Sequence, residues 1–247
     1  MKTGILPAGG KSIRWDAYPK EFLPIGSAWT LLDRHLLLQT RALVDRVMLI
    51  SSPEKLALHQ WWIKHRGWPD VTIITANSVM HSILMGTLGM SKGDEFIFSM
   101  PDTYTDMPLF PEVIEKPLML GVFETDESQR FGMVRGNAIV DKKEGKPGEA
   151  WGAFMFNDEV AAYWKQGRFK NHTTMLSAAM KKFEWGTWEI ELYHDVADFH
   201  EYLKLLGGLH NAKKQSAIRS PGGQEVVLQT QQRPGSVSVT IPVPPTV

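Results

Sequence analysis

The sequence predicts an α/β protein in which a mostly parallel central sheet is flanked by helices and followed by a β-rich second half. Three observations carry this. Short apolar runs at 2–6, 46–51, 71–75 and 95–100 alternate with helix-length segments at 30–43, 53–66 and 78–90, the rhythm of consecutive βαβ units. The first run opens into Pro7-Ala8-Gly9-Gly10, and the fourth ends on Met100-Pro101-Asp102. Beyond Phe110 the alternation gives way to strand-like segments separated by charged, turn-rich stretches.

Taken in order, 2–6 reads as a buried strand, and Gly9-Gly10 let successive backbone N–H groups face an anion without a Cβ in the way. The helix expected over 53–66 carries both punctuation marks: Ser52 as N-cap before Pro53 at the first helical position, and Gly67 after the last turn. Short connections and right-handed crossovers then give a parallel sheet, whose ligands sit outside the C-terminal strand ends near a topological switch point. The glycine loop and Asp102 both fall at such ends. In the second half, strands are expected at 118–124, 131–135, 138–140, 150–156 and 187–193, with helices at 158–166 and 173–182. A last helix over 198–206 is closed by Gly207-Gly208. This divides the chain into a folded unit, 1–208, and a Gln, Ser, Pro, Gly and Val-rich segment, 209–247, whose few large apolar side chains predict a flexible tail.

With 247 residues, 43% of them hydrophobic, the chain has enough apolar material for one full core. Lys+Arg and Asp+Glu are both 27 and no basic block occurs, so nothing in the charge pattern argues for nucleic acid or an anionic membrane. The absence of cysteine excludes disulfides and thiolate metal sites and fits a reducing compartment. No export signal or membrane span is legible, and a cytoplasmic location is expected.

Behind the glycine loop stand Arg14 and Lys20, the cations a triphosphate needs. Gly10-Lys11-Ser12 imitates the end of a P-loop, but the leading glycine of that pattern would fall on Ile5, and Pro19 limits any helix starting near Ser12. Asp102, after the run Phe96–Pro101, lies where an α/β nucleotide site holds a divalent cation; a turn aspartate is the plain alternative. The eight histidines show no ligand spacing with a third partner, and the nine tryptophans suit packing, with Trp151 also able to stack on a sugar.

Leu6, Ala8, Gly9, Gly10, Arg14, Pro19, Lys20, Leu23, Pro24 and Ile25 together resemble the signature of the sugar-phosphate nucleotidyltransferase superfamily, L-A-A/G-G-x-G-T-R followed by P-K-x-L-x-P-I. Ser12 stands where its second glycine is usual and Ile13 where its Thr or Ser is. Arg130-Phe-Gly-Met-Val134 is similar to the family's R-Y-G-V-V, and Glu144-Gly145-Lys146-Pro147 to its E-K-P with one residue inserted. Trp151-Gly152 is similar to its sugar-facing strand, and Asp195 takes the aspartate place of W-x-D-x-G-T. The resemblance spans about residues 2–206 and implies a Rossmann-like nucleotidyltransferase fold with a β-rich sugar-binding elaboration. It further implies transfer of a nucleotidyl group from an NTP to a sugar-1-phosphate, with dTTP or UTP first and CTP next. Leu6, Ala8, Gly9 and Gly10 would then bind nucleotide, and Arg14 and Lys20 would act on the triphosphate. Glu144, Lys146 and Gly152 would meet the sugar, and Asp102 and Asp195 would hold Mg²⁺. Base-recognising residues should fall around 77–82.

Two alternatives stand beside this. Pro7-Ala8-Gly9, Val44–Val47 and Ser51-Ser52-Pro53 also look like the cytidylyltransferases that act on non-sugar alcohol phosphates. Ser12-Ile13 and Met100-Pro101, where the motifs depart, are the support for a nucleotide- or sugar-binding module without catalysis. Whether the chain forms a homo-oligomer stays open.

Overall fold

The computed structural model describes residues 1–12, 15, 18–26, 28–68, 70–105, 108–141 and 146–218. Arg14, Glu144 and most of the expected tail lie outside the described residues.

The first half forms β1 (Lys2–Pro7), α1 (Leu31–Arg41), β2 (Arg46–Ser51), α2 (Leu56–Arg66), β3 (Val71–Thr75), α3 (Val79–Gly86), β4 (Glu95–Ser99) and the short β5 (Thr103–Thr105). The second half adds β6 (Leu118–Thr125), β7 (Gly132–Val134), β8 (Ile139–Asp141), β9 (Gly148–Asn157), α4 (Asp158–Gln166) and α5 (His172–Lys182). It closes with β10 (Trp185–Glu189), β11 (Tyr193–Asp195) and α6 (Phe199–Ile218).

The main sheet runs β10-β6-β9-β4-β1-β2-β3. Every neighbouring pair along it is parallel except those of β9, which runs against both β4 and β6. The expected α/β architecture with a mostly parallel sheet is thus what forms. Chain order reverses between β1 and β4, so the loops leaving these two strands diverge from one crevice, the switch point of a doubly wound sheet.

Continuous apolar runs in β1, β2 and β4 follow from burial on both faces. One face packs Phe96, Phe98, Phe154 and Phe156 under Trp164 of α4; the other packs Leu6 and Leu49 against Leu32, Leu36 and Ile63 of α1 and α2. The β4–β9 register places Phe96 opposite Phe156 and Phe98 opposite Phe154, with ring centroids 5.0 and 4.4 Å apart. Cross-strand aromatic pairs of this kind hold the reversed β9 in register.

Four expectations are corrected. α2 starts at Leu56 with Lys55 as its N-cap, because Lys55 N–H donates to Ser52 O at 3.1 Å and a turn replaces the expected first helical residues. Its other end is as read, with Gly67 at φ 66°. The strand expected over 187–193 is two, β10 beside β6 and β11 beside β5. α3 stops at Gly86 rather than at 90, its cap Thr87 folding its hydroxyl back onto Leu84 O at 2.8 Å. Finally, α6 does not stop at Gly207-Gly208 but continues to Ile218. Tyr202, Leu205, Leu206 and Leu209 of this helix pack with Leu23, Leu31, Tyr104 and Val196. That burial outweighs the roughly 1 kcal/mol that each helical glycine costs. Among the described residues no helix is long and apolar enough to cross a membrane.

Candidate active site

Two cavities open at the C-terminal ends of β1 and β4. The first, about 600 Å³, is lined by Pro7–Ser12, Lys20 and Glu21, by Ser52–Lys55 after β2, and by Ala76–Val79 and Ser82 at the start of α3. The second, about 490 Å³, is lined by Arg130, Phe131, Trp151, His172, Tyr193 and Asp195 among others. The wall common to both consists of Gly10, Lys11, Ser12, Lys20, Val79, Met100 and Asp102.

Gly9 is required by its surroundings: a Cβ there would lie 3.2 Å from the backbone of Ser51 and Ser52, where β2 ends. Gly10 faces open space instead. Ser12, at the place of the missing motif glycine, adopts φ 49°, so the loop makes the left-handed turn with a serine at a cost of about 1–2 kcal/mol. Leu6 is fully buried beneath the loop and lines neither cavity, whereas Ala8, Gly9 and Gly10 line the first.

Lys20 lies on a 3₁₀ turn, Lys20–Phe22, and its Nζ is 2.5 Å from Asp102 Oδ2. Asp195 is brought to the same place by β11, in which it stands opposite Thr103, the residue after Asp102. Burial raises the Asp195 carboxyl above the ordinary range, and the charge of Asp102 raises it further; Lys20 and Arg130 pull it back. Arg130 is held by three carboxylates, at 2.8 Å from Glu127, 3.5 Å from Asp195 and 3.6 Å from Glu201. Asp198 caps α6 by accepting from Glu201 N–H at 3.1 Å, while the Glu201 carboxylate turns to Lys204 and Arg130 rather than completing a capping box.

The Asp102 turn is fixed from α1. Gln39 Nε2 donates to Ser99 Oγ at 3.3 Å, Ser99 Oγ sits 3.0 Å from His35 Nδ1, and His35 Nε2 lies 2.9 Å from Thr103 O. A carbonyl only accepts, so Nε2 carries the proton and Nδ1 accepts from the serine: a neutral imidazole. Burial holds His35 near 4 against an ordinary 6.5. The unfolded chain therefore binds one more proton between these values, and stability falls as pH drops through that window, by about 3 kcal/mol in total. Urea unfolding of the wild type and of His35→Leu at pH 7 and pH 4.5 checks this; the variant should lose most of the pH dependence.

Besides Leu6, two sequence-named residues lie elsewhere. Lys146 is exposed ahead of β9, its carbonyl taken by Arg135, and lines neither cavity. Gly152 also lines neither, and its lack of a side chain serves Tyr193, whose ring would lie 2.5 Å from an added Cβ. Gly152→Ala is expected to lower stability by about 1–3 kcal/mol through overpacking, read as a lower melting temperature. Arg130, Phe131, Trp151, His172 and Tyr193 form much of the second cavity. Arg130 and Phe131 stood in the quoted R-F-G-M-V segment, but nothing in the sequence joined them to Tyr193.

Among the described residues no group of three or more His, Asp or Glu side chains converges to hold a metal by itself. Asp195, raised first by burial and then by the charge of Asp102 nearby, together with Asp102 nevertheless suits Mg²⁺, which takes one or two protein carboxylates and completes its shell with phosphates and water.

No family model and no curated protein matches the sequence. The fold is matched by solved structures. A Bacillus anthracis protein described as glucose-1-phosphate thymidylyltransferase, in complex with a sucrose, superposes with a TM-score of 0.75 at 13% identity, over 85% of this chain and 96% of that one. UDP-glucose pyrophosphorylase complexed with UDP-glucose gives 0.70 at 15% identity, over 86% and 99%. The inositol-1-phosphate CTP transferase from T. maritima gives 0.66 at 15%, over 85% and 96%. The chain therefore has the fold of the sugar-phosphate nucleotidyltransferases, as its glycine-loop and Pro-Lys motifs implied.

Proposed function

We propose that the protein transfers a nucleotidyl group from an NTP to a sugar-1-phosphate, releasing pyrophosphate. The observation that carries this is the meeting of two cavities on one wall bearing Lys20 and Asp102, with Asp195 alongside in the second. A transfer reaction needs two sites that share the reacting atom. The first cavity, bounded by the glycine loop, takes the nucleotide, with the base toward Asn77–Ser82. The second takes the acceptor, its aromatic walls Phe131, Trp151 and Tyr193 suiting the apolar faces of a sugar ring.

An oxygen of the acceptor phosphate attacks the α-phosphorus in line, the bond from that phosphorus to the bridging oxygen breaks, and pyrophosphate departs. A phosphate monoester has a second pKa of about 6, so its oxygen is already ionised at neutral pH and no general base is needed. Lys20 neutralises charge on the phosphates at the shared wall, and Arg14 is assigned the same role from its motif position. Asp102 and Asp195 would hold Mg²⁺, which supplies charge neutralisation to the phosphates when bound. Ser12 and the Gly9-Gly10 backbone fix the loop, and Tyr193, whose phenol burial keeps protonated, closes the acceptor cavity.

dTTP and UTP are the favoured donors, from the motif resemblance and from the likeness to a thymidylyltransferase and a UDP-glucose enzyme. Cytidylyl transfer to a non-sugar alcohol phosphate is the second choice, favoured by the likeness to an inositol-1-phosphate CTP transferase. A panel of NTPs against hexose-1-phosphates and inositol-1-phosphate, read by pyrophosphate release with Mg²⁺ and with chelator, tests both. Turnover of dTTP or UTP with a hexose-1-phosphate supports the first. Nucleotide binding without turnover of any pair leaves a binding module in its place.

A further inference from the structure

The wall of the first cavity includes two charged side chains, Glu21 and Lys55, that are almost wholly buried. Glu21 follows Lys20 on the 3₁₀ turn, and the two neighbours reach different partners. Lys20 reaches Asp102, while Glu21 turns inward to Lys55 Nζ at 3.0 Å and His59 Nε2 at 3.0 Å. Lys55 Nζ also reaches Ala8 O at 3.4 Å and Ser12 Oγ at 3.5 Å. His59, fully buried, places Nδ1 2.7 Å from Ser51 Oγ at the end of β2. The turn Ser52–Lys55 that delays α2 is what aims residue 55 beneath the loop.

We propose that Lys55, Glu21 and His59 form a tie that sets the separation between the 8–12 loop and the Lys20 turn, making Lys55 a positioning residue for the nucleotide. The proposal rests on the assignment of the first cavity to the donor nucleotide. Ala8 O and the Glu21 carboxylate are both acceptors, so without the ammonium between them they repel and the two anion-facing segments move apart. A buried ion pair is a poor device for stability, since desolvation offsets most of its attraction and a well-packed apolar pair does as well. Its place under two phosphate-facing segments, with each partner on a different one, is accounted for by the geometry it imposes. Lys55 touches no substrate atom in this scheme and acts through Lys20 and the loop.

The test replaces the pair together, Lys55→Met with Glu21→Leu in the full chain, and measures Mg·UTP and Mg·dTTP affinity by calorimetry beside the thermal melt. The paired variant should melt cooperatively near the wild-type temperature yet bind the nucleotide that the wild type prefers about 10- to 100-fold more weakly, the usual cost of losing a positioning contact. Added to Lys20→Ala, it should weaken binding by less than that factor, because part of its effect runs through Lys20. A paired variant that melts and binds as the wild type does overturns the proposal, as does a loss that multiplies in full with that of Lys20→Ala. If the paired variant does not melt cooperatively, Glu21→Gln, which keeps the shape and removes the charge, is held to the same two outcomes. A wild type that binds neither nucleotide removes the donor-site assignment and the tie with it; a wild type that binds while the variants are unaffected removes the tie alone.

Discussion

Asp195→Asn is expected to lower turnover by about 10²–10³-fold, the range found when one charge-stabilising contact is removed from a preorganised site, while the free protein melts no lower than the wild type. The two effects have one cause. Burial and the neighbouring Asp102 hold the Asp195 carboxyl above its ordinary range, so the folded chain binds that proton more tightly than the unfolded chain does. Stability from such a group is present at low pH and lost as pH rises through the folded value, which makes its charge a burden on the metal-free protein at neutral pH. An amide removes the burden and the second carboxylate together, and Arg130 keeps Glu127 and Glu201. Initial rates at saturating Mg²⁺ and a melt at pH 7 measure both; a variant with full turnover would show that Asp195 holds no metal.

Lys20→Ala should cost about 10²-fold in kcat/KM, because its ammonium stands on the wall that both cavities share and sits 2.5 Å from Asp102. Its pair with Asp102 is partly exposed, so its removal should move the melting temperature little. Steady-state kinetics in both substrates, beside a thermal melt, separates the effects. Unchanged kcat/KM would return Lys20 to the status of an ordinary surface lysine.

The half of the fold built from βαβ units was legible because its signals are local. Arg46–Ser51 and Val71–Thr75 are apolar runs of strand length, Gly67 ends a helix, and the loop after β1 and Asp102 after β4 fall at strand ends by counting alone. The pairing that completes the site was not legible. β5 and β11 are three residues each, too short for any periodicity, and only their antiparallel register brings Asp195 opposite Thr103. Asp195 was nonetheless named, from the likeness of its segment to W-x-D-x-G-T rather than from any sign of the strand pairing. Glu21 and Lys55 lie 34 residues apart, and no sequence pattern joins them; the turn at Ser52–Lys55 folds one beneath the other. Gly207-Gly208 misled in the opposite sense: a helix-ending signal was overridden by the packing of Tyr202, Leu205 and Leu209. Gly152 was picked out for a sugar and is occupied by Tyr193. In each case a contact distant in sequence decided what a residue does.

The most direct measurement of the central claim follows the α-phosphate. Wild-type protein with Mg²⁺, a hexose-1-phosphate and UTP or dTTP labelled at the α-phosphorus should deliver all of the transferred label to an NDP-sugar, formed in equal amount with unlabelled pyrophosphate. Label released as free nucleotide monophosphate, or no labelled product from any acceptor of the panel, would contradict nucleotidyl transfer at the shared wall.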